Sequence, residues 1–288
     1  MTDEALGTLV LVGTPIGNRG DLSPRARQAI EEADLLLCED TRSPLRLLGS
    51  KGEDLPPRTS CFVGNEHDRL ELLRGALQEG KVVVFVSEAG MPVWSDPGRL
   101  LVDAAWKLGA TIDAIPGPTA AATALALSGF EAEGAVFVGF IDRSGKSRRS
   151  ELQAISENLG ASVIYEAGNR SHQFLADLCS VLGEAAQGRR IFIGRELTKA
   201  HQELMRGSVA SLAESVSGPL RGEVCIVVEG IPTEDARGDR ANDGDAALGR
   251  QVFELMLDET LKPRARAKAL AKLTGYVAGE IYKRLQSD

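Results

Sequence analysis

The chain has 288 residues, of which 43% are hydrophobic and 26% charged, with a formal net charge of −8; such a chain is long enough for about two domains with substantial cores. The acidic balance excludes a general nucleic-acid binder, because neutralising phosphates takes clustered Lys and Arg, and no apolar run approaches the roughly 20 residues of a membrane span. The opening Met-Thr-Asp-Glu-Ala lacks the basic start of a secretory signal, so the expectation is a cytoplasmic protein with no membrane partner.

Residues 8–12 read as a short apolar strand, followed by Gly13-Thr14-Pro15-Ile16-Gly17-Asn18, a turn whose glycines permit tight geometry. Ser23-Pro24 reads as an N-cap with proline at the first helical position, opening a helix that runs to about residue 33. Residues 35–38 form the next strand, which stops in Glu39-Asp40-Thr41-Arg42. A helix over 68–79 places Leu70, Leu73 and Leu77 on one face and leads into the run Val82 to Val86. Five consecutive β-favouring apolar residues predict a strand covered on both faces, the central strand of a parallel sheet.

That run breaks into Ser87-Glu-Ala-Gly-Met-Pro-Val-Trp-Ser-Asp-Pro-Gly98, a stiff polar loop. Ligands of open α/β sheets settle at the carboxyl ends of strands, so this loop is the first candidate site. A helix over 99–108, a strand over 111–115 and the turn Pro116-Gly117-Pro118-Thr119-Ala120 into an Ala-rich helix ending near Ser128 complete an alternating pattern, which predicts right-handed crossovers in a mainly parallel sheet. The first α/β domain would span 1–130. Strands over 135–140, 162–165, 190–194 and 223–228 predict a second, more mixed α/β domain over 131–232. Residues 233–245 read as a linker, and 246–288 as a small helical, helix-turn-helix-like extension whose core would include Ala265, Leu270 and Leu273. Cys38, Cys61, Cys179 and Cys225 lie far apart without a Cys-x-x-Cys pair, and read as reduced thiols rather than disulfides or zinc ligands. Two basic clusters stand out on the acidic chain: Arg143, Lys146, Arg148 and Arg149, and Lys262, Arg264, Arg266, Lys268 and Lys272. Each reads either as a solvated helix face or as a local phosphate contact.

The segments Leu11-Val-Gly-Thr-Pro-Ile-Gly-Asn18, Glu39-Asp-Thr-Arg42, Val86 to Gly98, Pro116-Gly-Pro-Thr119, Tyr165-Glu166, Arg195-Glu-Leu-Thr-Lys199 and Gly222-Glu223 occur in an order that resembles the RsmI-type small-subunit ribosomal RNA methyltransferases of the tetrapyrrole methylase superfamily. The resemblance implies two α/β domains with a cleft for S-adenosylmethionine (SAM) between them, and no metal or nicotinamide. It implies transfer to the ribose 2′-hydroxyl of a cytidine in the decoding centre of 16S rRNA, within the small subunit, by a homodimer. By resemblance, Pro15, Ser87, Glu88, Ala89, Gly90 and Pro92 line the methionine and ribose of SAM, Thr119 and Ala120 lie beneath, and Tyr165 and Leu204 enclose the adenine. Glu39, Asp40 and Glu88 are the candidate bases for the hydroxyl proton; Arg42, Arg195 and Lys199 would clamp phosphate or stabilise the developing alkoxide. Arg143, Lys146, Arg148 and Arg149 join Arg195 as the expected RNA contacts. The chain departs from the family pattern at Glu88, where an aspartate is usual, and at Met91, where a threonine is usual. Two competing readings follow: a small-molecule, tetrapyrrole-type SAM methyltransferase, and a SAM-binding assembly protein without catalysis.

Overall fold

The computed structural model describes residues 5–49, 55–231, 252, 255–256, 261–274 and 277–284. The first half builds a sheet from β1 (Thr8–Val12), β2 (Leu35–Cys38), β3 (Arg58–Ser60), β4 (Val82–Val86) and β5 (Thr111–Ile115) in the order β3-β2-β4-β1-β5. All its pairings are parallel, and β4 sits in the middle as its apolar run requires. Alternation divides that strand between two cores. Val83 and Phe85 pack with Leu73, Leu77, Leu101 and Ala105 from α3 (Leu70–Gln78) and α4 (Arg99–Leu108), while Val84 and Val86 pack with Ala26 and Ile30 of α1 (Pro24–Glu32). Ser23 caps α1 by accepting from Ala26 N at 3.1 Å. The short helix α2 (Ser43–Leu48) and strand β3 are additions to the expected elements, and the helix expected from residue 68 opens as a 3-10 turn over Glu66–Arg69.

That turn has a purpose. The N-cap position of helix α4 is Gly98, which has no side chain to cap it, and the buried Glu66 carboxylate takes the place of a cap by accepting from Gly98 N at 3.1 Å and Leu100 N at 2.6 Å. Removing the acceptor leaves donors at a buried helix start without a partner. Glu66→Ala is therefore expected to lower unfolding free energy by about 2–3 kcal/mol, and Glu66→Gln, which keeps an acceptor, by less; denaturant titration checks the ranking.

The second sheet comprises β6 (Val136–Phe140), β7 (Ser162–Ala167), β8 (Arg190–Arg195), β9 (Glu203–Ser208) and β10 (Glu223–Val228) in the order β6-β7-β10-β8-β9. Only β6 and β7 are parallel, which gives the mixed sheet that was expected. One face packs on α6 (Gly145–Glu157), α7 (Ser171–Leu182) and α8 (Val209–Ser215). The other places Val163, Phe192, Cys225 and Val227 against Ala121 and Ala124 of α5 (Ala120–Ser128), and against Ile16 from the loop after β1. Both sheets thus belong to one compact unit, Met1–Gly230. Strand β9 was not anticipated. All four thiols are unpaired, and Cys38, Cys61 and Cys225 are buried.

The remaining unit holds helices Pro263–Thr274 and Ala278–Arg284. Among its described residues the buried positions are Ala267 and Leu270, whereas Ala265, expected in its core, is exposed. The linker expected over 233–245 lies outside the described residues. No described helix is long and apolar enough to cross a membrane.

Candidate functional site

Three loops leave the carboxyl ends of β1, β4 and β5 and lock together through backbone. Thr14 N donates to Gly90 O at 2.8 Å and Gly90 N returns the bond to Thr14 O at 3.1 Å. Gly13 and Gly117 approach so closely that a Cβ on Gly13 would stand 2.6 Å from the Gly117 Cα and 2.7 Å from the Met91 sulfur. Met91 thus packs where the loops meet. From the other side, Gly17 lies against Thr198 and Lys199 of the β8–β9 loop, and Asn18 N donates to Thr198 Oγ1 at 3.1 Å.

Between these loops and the second sheet lies a cavity of about 340 Å³. Of the residues singled out in the sequence, Glu88, Ala89, Gly90, Thr119, Ala120, Tyr165 and Lys199 line it. Pro15, Ser87 and Pro92 are buried beside it as the frame of the same loops. Thr119 caps α5 by accepting from Ala122 N at 3.1 Å, and the Tyr165 hydroxyl accepts from Ala121 N at 3.2 Å, tying the helix start to the second sheet. Burial pushes the Tyr165 phenol up to about 12, so it stays protonated. Leu204 does not line the cavity: it sits on the edge strand β9, 45% exposed, and Leu197 of the preceding loop lines the wall instead.

The acids divide into a frame and a wall. Glu88 N donates to Glu39 Oε1 at 2.9 Å, while the Glu88 carboxylate accepts from Asp40 N at 3.1 Å and from Ser43 Oγ at 2.7 Å. The longer Glu88 side chain therefore bridges the β2 and β4 loops. Asp40 is held by the Arg42 guanidinium, with Nη2 to Oδ2 at 2.7 Å, and that hydrogen bonding brings the carboxyl down to about 2. Its lone pairs are engaged and its basicity is low. Glu39 moves the other way, raised by burial and by the neighbouring Glu88 charge against the Glu88 N–H bond. Neither Glu39, Asp40 nor Arg42 reaches the cavity wall.

Besides Glu88, whose carboxylate is engaged by Asp40 N and Ser43, the loop's other acid at the cavity was part of the motif but not among the sequence candidates. Asp96 lines the cavity and its carboxyl is pushed up to about 6, mainly by burial, then by Glu39, with smaller contributions from Glu223 and Glu88 against a Ser87 hydrogen bond. In the sequence its only signal is its position in the loop; which of several strand-end acids is desolvated depends on packing. Lys199, on the opposite wall, donates to Glu196 Oε1 at 2.8 Å and Glu223 Oε2 at 2.7 Å. Burial works to lower its pKa, and these two acceptors outweigh it and hold the ammonium charged.

The basic residues need two corrections. Arg148 is interior, its side chain 7% exposed; Nε donates to Asp177 Oδ2 at 2.7 Å, Nη1 to Asp142 O at 3.0 Å, and buried Glu166 lies 3.8 Å away. Arg195 is already engaged by Glu203, Arg221 O and His201 O. Arg143, Lys146 and Arg149 are exposed at the start of α6. Arg148→Ala is accordingly expected to destabilise the protein by about 3 kcal/mol, because it removes a buried cation beside buried Glu166 and leaves that carboxylate with Arg170 as its remaining cation, whereas Arg149→Ala should stay within about 0.5 kcal/mol; thermal melts of the pair separate interior from surface. In the C-terminal cluster, Arg266 donates to Met256 O and Arg264 lies over the Tyr282 ring, leaving Lys262, Lys268 and Lys272 exposed.

The cavity's chemistry fits a methyl donor of the SAM type. A sulfonium cation with an amino-acid tail and an apolar ring calls for acidic groups, exposed backbone and apolar walls. Glu88, Asp96 and Glu223 supply the first, the Gly90 loop the second, and Ile16, Met91 and Leu197 the third. A family model described as tetrapyrrole (corrin/porphyrin) methylases matches residues 8–213. A Thermotoga maritima protein named ribosomal RNA small subunit methyltransferase I is 40% identical over 227 residues, covering 78% of this chain and 99% of the relative. A Xylella fastidiosa protein of the same name is 34% identical over 279 residues, 96% of this chain and 98% of the relative. Among solved structures, the methyltransferase CobJ is 22% identical with a TM-score of 0.59, covering 78% of this chain and 95% of that one. A uroporphyrin-III C-methyl transferase from Thermus thermophilus, complexed with S-adenyl homocysteine, is 18% identical with a TM-score of 0.54 over 77% of this chain and 96% of that one.

Proposed function

Because this chain belongs to the tetrapyrrole (corrin/porphyrin) methylases and, within them, to the ribosomal RNA small subunit methyltransferase I group, we propose that it methylates the ribose 2′-hydroxyl of a cytidine in the decoding centre of 16S rRNA. SAM supplies the electrophilic methyl carbon. The substrate is the assembled small subunit, the enzyme acts as a homodimer, and its place is the cytoplasm. The observation that carries the reading is the cavity at the ends of β1, β4 and β5, where an acid of raised pKa and a charged lysine face one space.

The chain's residues divide the work. The Gly90 loop, Thr119 and Ala120 hold the donor, and the Gly13–Gly117 contact fixes how far apart those loops stand. Asp96 takes the proton from the 2′-hydroxyl: its carboxylate is desolvated, hence more basic than a surface aspartate, and still mostly ionised at neutral pH. Lys199 offsets negative charge on the acceptor oxygen or the adjoining phosphate; Glu196 and Glu223 use two of its three donors. Glu39, Asp40 and Arg42 brace the Glu88 loop from behind, and exposed Arg143, Lys146 and Arg149 meet RNA phosphates.

The test is methyl transfer from tritiated SAM to small subunits lacking the modification, with the label mapped after nuclease digestion. Label in the ribose of one cytidine is expected. Label carried only by a porphyrinoid acceptor would favour the small-molecule reading, and SAM binding without transfer to any acceptor would favour the assembly-protein reading.

A further inference from the structure

The mouth of the cavity carries an aromatic shelf that core packing does not account for. Trp94 and Phe140 line the cavity yet remain 48% and 58% exposed. Large apolar side chains held in solvent at a cavity mouth are informative where scattered surface hydrophobes are not. They are also held in place. Trp94 stacks on Phe137 with centroids 4.7 Å apart, and Phe137 and Phe140 both meet the Tyr165 ring edge-on, at 5.0 and 5.6 Å.

Two backbone irregularities produce this arrangement. Strand β6 slips register between Phe137 and Gly139, leaving Val138 as an extra residue. In a regular strand, positions 137 and 140 would face opposite ways; the bulge turns both toward Tyr165. On the facing loop, Trp94 is bracketed by Val93 and Ser95, both left-handed at φ 72° and 66°. A β-branched residue rarely adopts that conformation, and such strain persists where a side chain must be presented in one direction. Two separate elements thus depart from regular geometry to set aromatic rings at the same opening.

We propose that Trp94 and Phe140 form the seat of an unstacked nucleobase of the RNA acceptor, gripping it while its own ribose enters the cavity. This rests on the functional reading above and specifies how that site takes its substrate. A 2′-hydroxyl inside a helix is out of reach of an enclosed site, so the nucleotide has to leave its stack, and proteins that take bases from RNA hold them on aromatic faces. Stacking is indifferent to which base it holds, so the shelf contributes grip and leaves sequence choice to other contacts.

The test uses Trp94→Ala, Trp94→Phe and Phe140→Ala in the full chain. Trp94→Ala is expected to raise KM for unmodified small subunits about tenfold or more, Trp94→Phe to restore most of it, and calorimetric affinity for S-adenosylhomocysteine to stay at the wild-type value in all three. With Trp106→Phe, Trp94 is the sole tryptophan of the two; a single-stranded oligocytidine RNA added to the S-adenosylhomocysteine-loaded protein should then quench its emission. An unchanged KM without quenching overturns the proposal and leaves the functional reading intact. Lost S-adenosylhomocysteine affinity overturns it by assigning the shelf to the donor's ring, and dissociation of a dimer by Trp94→Ala overturns it by assigning the shelf to a second copy. If the wild-type protein labels no RNA, both fall together.

Discussion

Asp96→Asn is expected to cut methyl transfer by about 10²–10⁴-fold, the usual contribution of a positioned general base, with affinity for S-adenosylhomocysteine unchanged. The neutral thioether is the right probe, since removing a carboxylate would itself weaken attraction for the sulfonium. The wild-type rate should fall as pH drops through about 6, where Asp96 gains its proton, and the residual rate of the variant should lack that limb. Stability runs the opposite way. The folded protein holds the Asp96 proton up to about pH 6 while the ordinary value is 3.8, so between these pH values the native state binds more protons than the unfolded one. Asp96 therefore lowers stability as pH rises through that window, and above it the loss is complete. Asp96→Asn should melt higher than wild type at pH 8, with the gain shrinking toward pH 4. A variant that is inactive and less stable at pH 8 would mean Asp96 holds the loop together rather than accepting a proton.

Gly13→Ala should have the largest effect on donor binding of any single methyl group added to the chain. The new Cβ meets Gly117 backbone, and neither side has a flexible end that can move away. The β1 and β5 loops must separate, and the Thr14–Gly90 bonds on which the cavity depends separate with them. Overpacking of this kind lowers stability by about 1–3 kcal/mol. SAM affinity should fall beyond calorimetric detection while the protein still unfolds cooperatively. Gly75→Ala is the control: it lies in α3 with open space around it, and should leave SAM affinity alone and raise stability by about 0.4–1 kcal/mol.

What the sequence made legible follows from how each feature is encoded. The run Val82 to Val86 announces a doubly covered strand because both of its faces are apolar, and β4 is the middle strand. Ser23-Pro24 announces a helix start because cap chemistry is local. Strand β3 is three residues of intermediate burial, and β9 is an edge strand reading Glu-Leu-Met-Arg-Gly-Ser; neither carries the period-2 apolar pattern that marks a half-buried strand, so neither is legible in the sequence. The loop ends were likewise visible as a ligand site, since hydroxyls, acids and glycines gathered where apolar strands stopped. Which acid is desolvated at the cavity was not visible: Glu39, Asp40, Glu88 and Asp96 are equivalent in sequence, and only the third dimension locks Asp40 to Arg42, ties Glu88 to Ser43 and desolvates Asp96. Arg148 shows the same limit in reverse. It stands in a basic run that reads as surface, and helix periodicity turns it alone inward, onto Asp177 and Glu166.

The central claim is that the loops after β1, β4 and β5 close on the methyl donor. A crystal structure of the protein with S-adenosylhomocysteine tests it most directly. The account expects the ligand between the Gly90 loop and the start of α5, with its sulfur facing the space between Asp96 and Lys199. Ligand density elsewhere on a folded chain, with this cavity filled only by solvent, would contradict it.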